Sequence, residues 1–193
     1  MIRIGILALQ GAFVEHAAIL KQLGADTFEI RQRKDADQEM DGLVLPGGES
    51  TTMGKLLKDL DLHEPLKQKI EQGLPVLGTC AGLILLAKDI EGREDGHFKT
   101  MDVTVRRNAY GRQLGSFVTT APFQGNPLEM VFIRAPYIAS YGDEVDVLAT
   151  VDDRVVAARQ GQMIGTAFHP ELSADPTVHA LFLSIIKKED ASD

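Results

Sequence analysis

Cysteine is scarce: the chain has one, among 193 residues. A single cysteine cannot form an internal disulfide, the bond that commonly stabilises small secreted proteins. Neither this cysteine nor the five histidines show the spacing of a metal site. The sequence therefore predicts a cytoplasmic protein that holds no metal.

Long hydrophobic runs are also missing. The longest uncharged apolar stretch, residues 74–87, contains Pro75, Gly78 and Gly82, and it is shorter than the roughly 20 residues that span a bilayer. Residues 1–6 lead directly into a strand-like segment, without a charged leader or a cleavage site. We expect neither a membrane span nor a secretory signal.

Positive charge is in the minority, with 20 Lys and Arg against 28 Asp and Glu and a net charge of −8. A protein that binds nucleic acid normally carries a basic face. The densest basic stretch, residues 31–34, is followed at once by Asp35 and Asp37, which is typical of a solvated turn. The charge pattern argues against a nucleic-acid partner.

The first half alternates short apolar segments with amphipathic ones, and the length suits one domain, residues 1–193. The predicted strands are 2–9, 28–30, 42–45 and 76–79, and the predicted helices are 13–23, 50–60, 66–72 and 81–87. This alternation predicts an α/β fold, a doubly wound and mostly parallel sheet with helices on both faces.

The second half reads differently, as strands separated by turns and a closing helix at 180–186. Its predicted strands are 103–105, 130–133, 145–149, 155–158 and 163–168. The sequence Gln160–Gly161–Gln162 is typical of a hairpin turn. We expect an antiparallel elaboration within the same domain.

Cys80 directly follows an apolar strand and precedes an apolar helix, with Gly78 and Gly82 on either side. This pattern is typical of a nucleophile elbow, a strained turn that presents its side chain at the edge of the sheet. The helix N-terminus adds a partial positive charge that favours the thiolate. The alternative is a small, inert core cysteine.

His169, Pro170 and Glu171 follow the last predicted strand. Glu171 is close enough in sequence to accept a hydrogen bond from the imidazole, which would fix its tautomer and raise its basicity. Together with Cys80, the pair fits the Cys–His–acid arrangement of thiol acyl transfer. A histidine at a strand end can also be incidental.

Pro46, Gly47 and Gly48 break the third predicted strand before a helix that Ser50–Thr52 can cap. Glycines in such a turn free backbone N–H groups to face a cleft, where they suit a developing oxyanion. We predict an oxyanion hole built from the N–H groups of Gly48 and Ala81. A plain strand-to-helix turn is the alternative.

These motifs resemble class I, triad-type glutamine amidotransferases, and in particular the glutaminase subunits of the ribose 5-phosphate-dependent pyridoxal 5′-phosphate synthases. The segments that carry the likeness are LQGA (9–12), LPGGESTTM (45–53), GTCAG (78–82), Arg107–Asn108 with Gly111–Arg112–Gln113, FIRAP (132–136) and HPE (169–171). They extend over nearly the whole chain. LPGGESTTM and FIRAP are the segments most specific to this subfamily.

The resemblance implies that the chain hydrolyses L-glutamine to L-glutamate and ammonia through a glutamyl thioester. Cys80 is then the nucleophile, His169 the base and Glu171 its partner. The residues implied to bind glutamine are Gly48, Glu49, Ser50, Arg107, Ile133 and Arg134. A guanidinium suits the substrate carboxylate and an acidic side chain suits its ammonium. Without the family, both arginines would be read as surface residues.

The ammonia must be used on another polypeptide, because the chain shows neither a P-loop nor a Rossmann glycine pattern. The resemblance implies a barrel-shaped synthase subunit that combines ammonia with ribose 5-phosphate and glyceraldehyde 3-phosphate. It implies a large hetero-oligomer with an internal ammonia channel. Pyridoxal 5′-phosphate is then a product of the assembly, not a cofactor of this chain.

Three alternatives stay open. The first is the glutaminase subunit of another ammonia-channelling enzyme, imidazole glycerol phosphate synthase, against which LPGGESTTM and FIRAP argue. The second is a thiol peptidase or a redox-sensing cysteine protein, which has no use for His-Pro-Glu beside a glutamine pocket. The third is a non-catalytic binding module, which we expect to lack either Cys80 or His169.

Overall fold

The computed structural model describes residues 1–93, 95–107 and 115–190. The strands in these ranges are β1 (Arg3–Leu7), β2 (Asp26–Ile30), β3 (Gly42–Leu45), β4 (Val76–Thr79), β5 (Ala87–Ile90), β6 (Met101–Arg106), β7 (Ser116–Phe123), β8 (Asn126–Ile133), β9 (Tyr137–Tyr141), β10 (Asp146–Val151), β11 (Arg154–Gln160) and β12 (Met163–Thr166). The helices are α1 (Phe13–Gln22), α2 (Arg33–Ala36), α3 (Ser50–Asp59), α4 (His63–Glu71), α5 (Ala81–Leu86) and α6 (Thr177–Asp190), with a 3-10 turn at Pro170–Leu172. None of these helices is both long and apolar enough to cross a membrane.

The strands form one sheet, in the order β2-β1-β3-β4-β12-β11-β10-β7-β8. Neighbours from β2 to β12 run parallel, and neighbours from β12 to β8 run antiparallel. β9 pairs with both β11 and β6, and β6 also pairs with β5. The predicted α/β class, with a doubly wound parallel half and an antiparallel elaboration, is confirmed.

Helices cover both faces of the parallel half. Gly42 of β3 packs against α6, whereas Leu45, which points to the opposite face, lies against Gly82 of α5. His16 of α1 contacts His179 of α6, so these two helices share a face. Because both faces are covered, β3 and β4 are buried at every residue, which explains their uninterrupted apolar sequences.

The hairpin of β7 and β8 contains the longest unpredicted strand. Ser116–Phe123 alternates exposed and half-buried positions and includes Pro122, so it lacks the apolar run that marks a central strand. Its turn is made by Gln124 and Gly125, with φ of 47° and 82°. Two successive positive φ values match a type I′ turn, whose twist suits a hairpin. The one hairpin turn predicted from the sequence, at 160–162, joins β11 to β12 and is confirmed.

Other differences are local. The strands β5 and β9 were not predicted, and the predicted helix 81–87 ends at Leu86 because Ala87 begins β5. The basic stretch 31–34, predicted as a turn, enters the short helix α2 at Arg33. Its charges are solvated as expected, since Arg33 pairs with Asp37 in an exposed ion pair of 2.7 Å.

Candidate active site

Cys80 occupies a strained turn between β4 and α5. Its φ is 52°, in the left-handed region that residues with a side chain rarely adopt. The turn is held by the Cys80 N–H, which donates to the carbonyl oxygen of Thr166 at 2.8 Å. A side chain at Gly78 would place its Cβ 2.7 Å from the carbonyl oxygen of Gly82. Gly78 is therefore required for β4 and α5 to approach this closely. Gly82 is required for α5 to approach β3, because a Cβ there would collide with the carbonyl oxygen of Leu45.

His169 reaches the same edge of the sheet because β12 lies parallel to β4. In that pairing Thr166 is opposite Thr79, so the residues that follow the two strands emerge side by side. The Nδ1 of His169 lies 2.6 Å from Oε1 of Glu171. The ring packs on Gly47, where a Cβ would lie 2.5 Å from Cε1 of His169. The predicted His–Glu pair is thus formed within one short turn.

The electrostatic surroundings of His169 favour its protonated form. Burial acts to lower its pKa, but hydrogen bonds and charge interactions with Cys80 and Glu171 outweigh burial and raise the pKa to about 10. At neutral pH the imidazolium therefore lies between the sulfur and a buried carboxylate. An imidazolium beside a thiol stabilises the thiolate, the reactive form of cysteine.

A cleft of about 390 Å³ opens over Cys80. Its lining residues are Gly48, Glu49, Ser50, Cys80, Ala81, Ile84, Arg107, Ile133, Arg134 and His169. All of these except Ile84, one turn into α5, are site residues predicted from the sequence. Glu171 lies behind His169 and is buried. The volume suits a small polar molecule.

The start of α3 forms one wall of this cleft. The helix is capped by Glu49, whose carboxylate accepts from the backbone N–H of Thr51 at 3.1 Å and of Thr52 at 2.6 Å. Partial burial acts to raise the Glu49 pKa, but the hydrogen bonds from Thr52 and Thr51 lower it to about 2. The sequence placed the cap at Ser50–Thr52, and the structure corrects this. Glu49 can bind a substrate ammonium only with its remaining lone pairs.

Two arginines complete the cleft. Arg107 donates from Nη1 to Oγ of Ser50 at 3.3 Å and to Oγ1 of Thr51 at 3.1 Å, so its guanidinium lies over the start of α3. Arg134 has φ of 44°, a second strained residue at this site. Asn108 and Gly111–Gln113, which also carry the family resemblance, lie outside the described residues.

The turn at Pro46–Gly48 is packed against the segment that follows β1. The carbonyl oxygen of Gly47 lies so close to the Cα of Gly11 that any side chain there would collide with it. Oε1 of Gln10 accepts from the backbone N–H of Glu49 at 2.9 Å. Gly48 has φ of 147°, which glycine adopts freely. Contacts with Gln10 and Gly11 therefore hold this turn, whose central peptide joins two glycines.

Two buried histidines behind the triad were not predicted as site residues. Nδ1 of His16 lies 2.8 Å from Nε2 of His179, and Nε2 of His16 lies 3.2 Å from Oγ1 of Thr79 and 3.4 Å from Oε2 of Glu171. Their spacing could have indicated that both are buried. His16 lies four residues before Leu20 in α1, and His179 lies three residues before Phe182 in α6, so each histidine is on the apolar face of its helix. No group of three or more His, Cys, Asp or Glu in the described ranges is placed to hold a metal ion.

Burial keeps both histidines neutral. For His16, burial and then the neighbouring His179 and His169 hold the pKa well below its ordinary value. For His179, burial lowers the pKa to about 4 from an ordinary 6.5. A group with a lowered pKa binds fewer protons in the folded state, so its contribution to stability is complete above pH 6.5 and is lost as the pH falls toward 4.

We therefore expect acid to destabilise the fold through this pair. From His179 alone, the free energy of unfolding should fall by roughly 3 kcal/mol between pH 7 and pH 4. Urea unfolding across this pH range measures the change, and His179→Gln, which cannot titrate, is the matched control. A variant whose stability falls as steeply as that of the wild type would contradict the assignment.

Comparison with known proteins identifies the family. The profile of the SNO glutamine amidotransferase family matches residues 6–188. The chain belongs to this family. Pyridoxal 5′-phosphate synthase subunit PdxT of Streptococcus pneumoniae (strain CGSP14) is 53% identical over 191 residues, 97% of this chain and 98% of that protein. The protein of the same name from Desulfitobacterium hafniense (strain DSM 10664 / DCB-2) is 54% identical over 185 residues, 95% of this chain and 93% of that protein.

A solved structure agrees with these relatives. A crystal structure described as a glutamine amidotransferase superimposes with a TM-score of 0.89 and 41% identity, covering 95% of this chain and 98% of that one. Membership of the SNO glutamine amidotransferase family confirms the recognition made from the sequence motifs, and with it the enzyme class. The cleft over Cys80 is accordingly the candidate glutaminase site of this family member.

Proposed function

We propose that this chain is the glutaminase subunit of a pyridoxal 5′-phosphate synthase, with residues 1–193 acting as one glutaminase domain. The observation that carries the proposal is the juxtaposition of Cys80, in a strained elbow, with a His169–Glu171 pair at 2.6 Å. Relatives named as pyridoxal 5′-phosphate synthase subunits, at 53% identity over nearly the full length, support the assignment to the synthesis of pyridoxal 5′-phosphate. These two facts together support the substrate, the reaction and the partner proposed below.

The reaction begins when the Cys80 thiolate attacks the side-chain amide carbon of glutamine. The negative charge that develops on the amide oxygen is stabilised by the N–H groups of Gly48 and Ala81. His169, protonated in the resting state, gives its proton to the departing nitrogen, and the C–N bond breaks. Ammonia leaves, and a γ-glutamyl thioester remains on Cys80.

The second half of the reaction restores the enzyme. His169, now neutral, removes a proton from a water molecule, and the resulting hydroxide attacks the thioester carbon. The C–S bond breaks, glutamate leaves, and the thiolate and imidazolium are regenerated. Glu171 holds the ring throughout by accepting the hydrogen bond from Nδ1. No metal or cofactor takes part in either step.

The pocket recognises the two charged ends of glutamine. Arg107 and Arg134 line the cleft and supply cationic groups for the α-carboxylate. Glu49 supplies the negative charge for the α-ammonium, in addition to capping α3. Ser50 adds a hydroxyl at the same wall, and Ile133 adds an apolar surface that is 39% exposed. Glutamine therefore lies with its side-chain amide toward Cys80.

The partner is the barrel-shaped synthase subunit that uses the ammonia, in a large cytoplasmic hetero-oligomer. The single cysteine supports the reducing compartment. Water would protonate free ammonia and remove its nucleophilicity, so delivery requires docking and an internal channel. The docking surface lies at the cleft rim beside Gln10, the Gly47–Gly48 turn and the elbow, because the ammonia leaves there.

The partner should also switch on the glutaminase. The peptide between Gly47 and Gly48 can take more than one orientation, since glycine tolerates positive φ. A synthase that binds preferentially to the orientation with the Gly48 N–H facing the cleft would shift the population toward the active state. A glutaminase that waits for its acceptor does not waste glutamine.

We expect the isolated chain to be a poor glutaminase that becomes active in an equimolar mixture with its synthase. The measurement is glutamate released at saturating glutamine, with and without the pyridoxal 5′-phosphate synthase barrel subunit. The synthase subunit of an imidazole glycerol phosphate synthase is the control, and it should neither bind nor activate. If the isolated chain releases glutamate as fast as the mixture does, activation by the partner is wrong, although the assignment of the catalytic residues is unaffected. Activation by the control would favour the other ammonia-channelling enzyme.

A further inference from the structure

The mechanism uses only one oxygen of Glu171. Oε1 accepts the hydrogen bond from His169, while Oε2 is buried and has no hydrogen-bond partner among the described residues. A buried carboxylate oxygen without a donor is costly, because its hydration has been lost and not replaced. Nε2 of His16 lies 3.4 Å from this oxygen, and neither side chain has exposed area.

The two histidines together decide which nitrogen of His16 carries the proton. A neutral imidazole has one N–H, and Nδ1 of His16 faces Nε2 of His179 at 2.8 Å. A proton on Nδ1 of His16 would leave a lone pair facing the Glu171 carboxylate, with two electron-rich atoms in contact. It would also require an N–H on Nδ1 of His179, an atom that is buried without a hydrogen-bond partner in the part of the chain that the structure describes.

The other tautomer removes both problems. His179 then donates from Nε2 to Nδ1 of His16, and His16 carries its proton on Nε2, facing Glu171 and Thr79. The unpartnered Nδ1 of His179 becomes an acceptor, and buried groups left unpaired are more often acceptors than donors. His179 thus donates to His16 and His16 donates to Oε2 of Glu171, while Oε1 of the same carboxylate accepts from His169.

We infer that His16 is a positioning residue of the glutaminase: its Nε2–H, oriented by His179, donates to Oε2 of Glu171 and so fixes the carboxylate that orients His169. The inference rests on the proposed function. A separation of 3.4 Å is long for this hydrogen bond, but such bonds often tighten only when substrate or transition state is bound. The competing explanation is that the contact between the two histidines only stabilises the packing of α1 against α6.

Two amide substitutions separate these explanations. His16→Gln places an amide near the position of Nε2 and keeps a donor for Glu171. His16→Asn places its amide near the position of Nδ1, so it keeps the contact with His179 and loses the donor to Glu171. A positioning role predicts that Gln is tolerated and Asn is not. If the two histidines only hold α1 against α6, His16→Asn should be at least as well tolerated as His16→Gln.

In the complex with the synthase, His16→Asn should lower kcat about 10- to 100-fold with little change in KM, the range expected for losing a hydrogen bond to a charged group. His16→Gln should stay within about threefold of the wild type. In a Glu171→Gln background the Asn substitution should cost less than about twofold, because its effect acts through that carboxylate. Thermal unfolding establishes that each variant is folded at the assay temperature.

A second measurement needs no partner and no glutamine. Cys80 is the chain's only thiol, so the rate of its alkylation by iodoacetamide at neutral pH reports how well His169 stabilises the thiolate. His16→Asn should slow alkylation and His16→Gln should not. Where His16→Asn does not fold, His179→Leu replaces it, since it removes the donor that orients His16 and should lower kcat in the same way.

Equal losses in the Asn and Gln variants would overturn the inference, as would an undiminished effect of Asn in the Glu171→Gln background. Failure of the proposed function has a different signature. In that case the wild-type complex releases no glutamate from glutamine, while the alkylation comparison still decides whether His16 orients the triad.

Discussion

Replacing Cys80 with alanine should abolish glutamate release, the largest effect expected of any single substitution in this chain. No other thiol exists to form the thioester, and the partners that remain cannot attack an amide carbon by themselves. Glutamate released from glutamine in the complex with the synthase measures the effect. Circular dichroism and co-elution with the synthase should be nearly unchanged, because alanine fills the same turn without new contacts.

A labelling experiment is the control for this substitution. A glutamine analogue with an electrophilic group at the side-chain carbonyl should modify the wild type once per chain, at Cys80, and should leave Cys80→Ala unlabelled. Substantial turnover by Cys80→Ala, or labelling at another residue, would mean that a different group is the nucleophile.

Replacing His169 with asparagine should lower kcat/KM by about 10²- to 10⁴-fold, the usual effect of removing a general acid–base residue. The imidazole is the group that protonates the leaving nitrogen and then activates water. Glu171→Gln should cost less, because Glu171 orients the ring and does not touch the substrate. Near-wild-type rates in both variants would show that another residue carries the protons.

The pH profile adds an independent check on the same pair. With the His169 pKa raised to about 10, wild-type activity should persist into alkaline solution and fall as His169 loses its proton near that pH. Glu171→Gln removes one of the causes of the raised pKa, so its alkaline limb should move to lower pH. A limb that stays in place would mean that Glu171 does not interact electrostatically with His169.

The parts of this site that the sequence predicts are those made by local turns. The elbow around Cys80 and the His169–Glu171 turn are each contained in a few residues, so spacing and residue type reveal them. Their meeting depends on β12 pairing with β4, although the strands β5 to β11 lie between these two in the chain. Short apolar segments indicate strands, but the order of the strands in the sheet is set by packing between segments far apart in the chain, so the predicted segments alone do not determine it.

The parts that the sequence misses are nonlocal or depend on competition between neighbours. His16 and His179 are 163 residues apart in the chain, and each by itself looks like a histidine on a helix stripe. At α3, serine and threonine are the preferred capping residues, yet Glu49 takes that position because its longer side chain reaches the N–H groups of both Thr51 and Thr52.

The solitary thiol also determines how this protein responds to oxidants. A sulfenic acid on Cys80 would meet no second thiol in the chain, so an internal disulfide cannot intercept it before it becomes sulfinic acid. With Cys80 only 7% exposed, a rescuing thiol has to be small enough to enter the cleft, as glutathione or a reductant of similar size would. Bound glutamine, which occupies that cleft, would shield the sulfur of Cys80 from oxidation by peroxide. It would equally block the small thiol that reduces an oxidised Cys80.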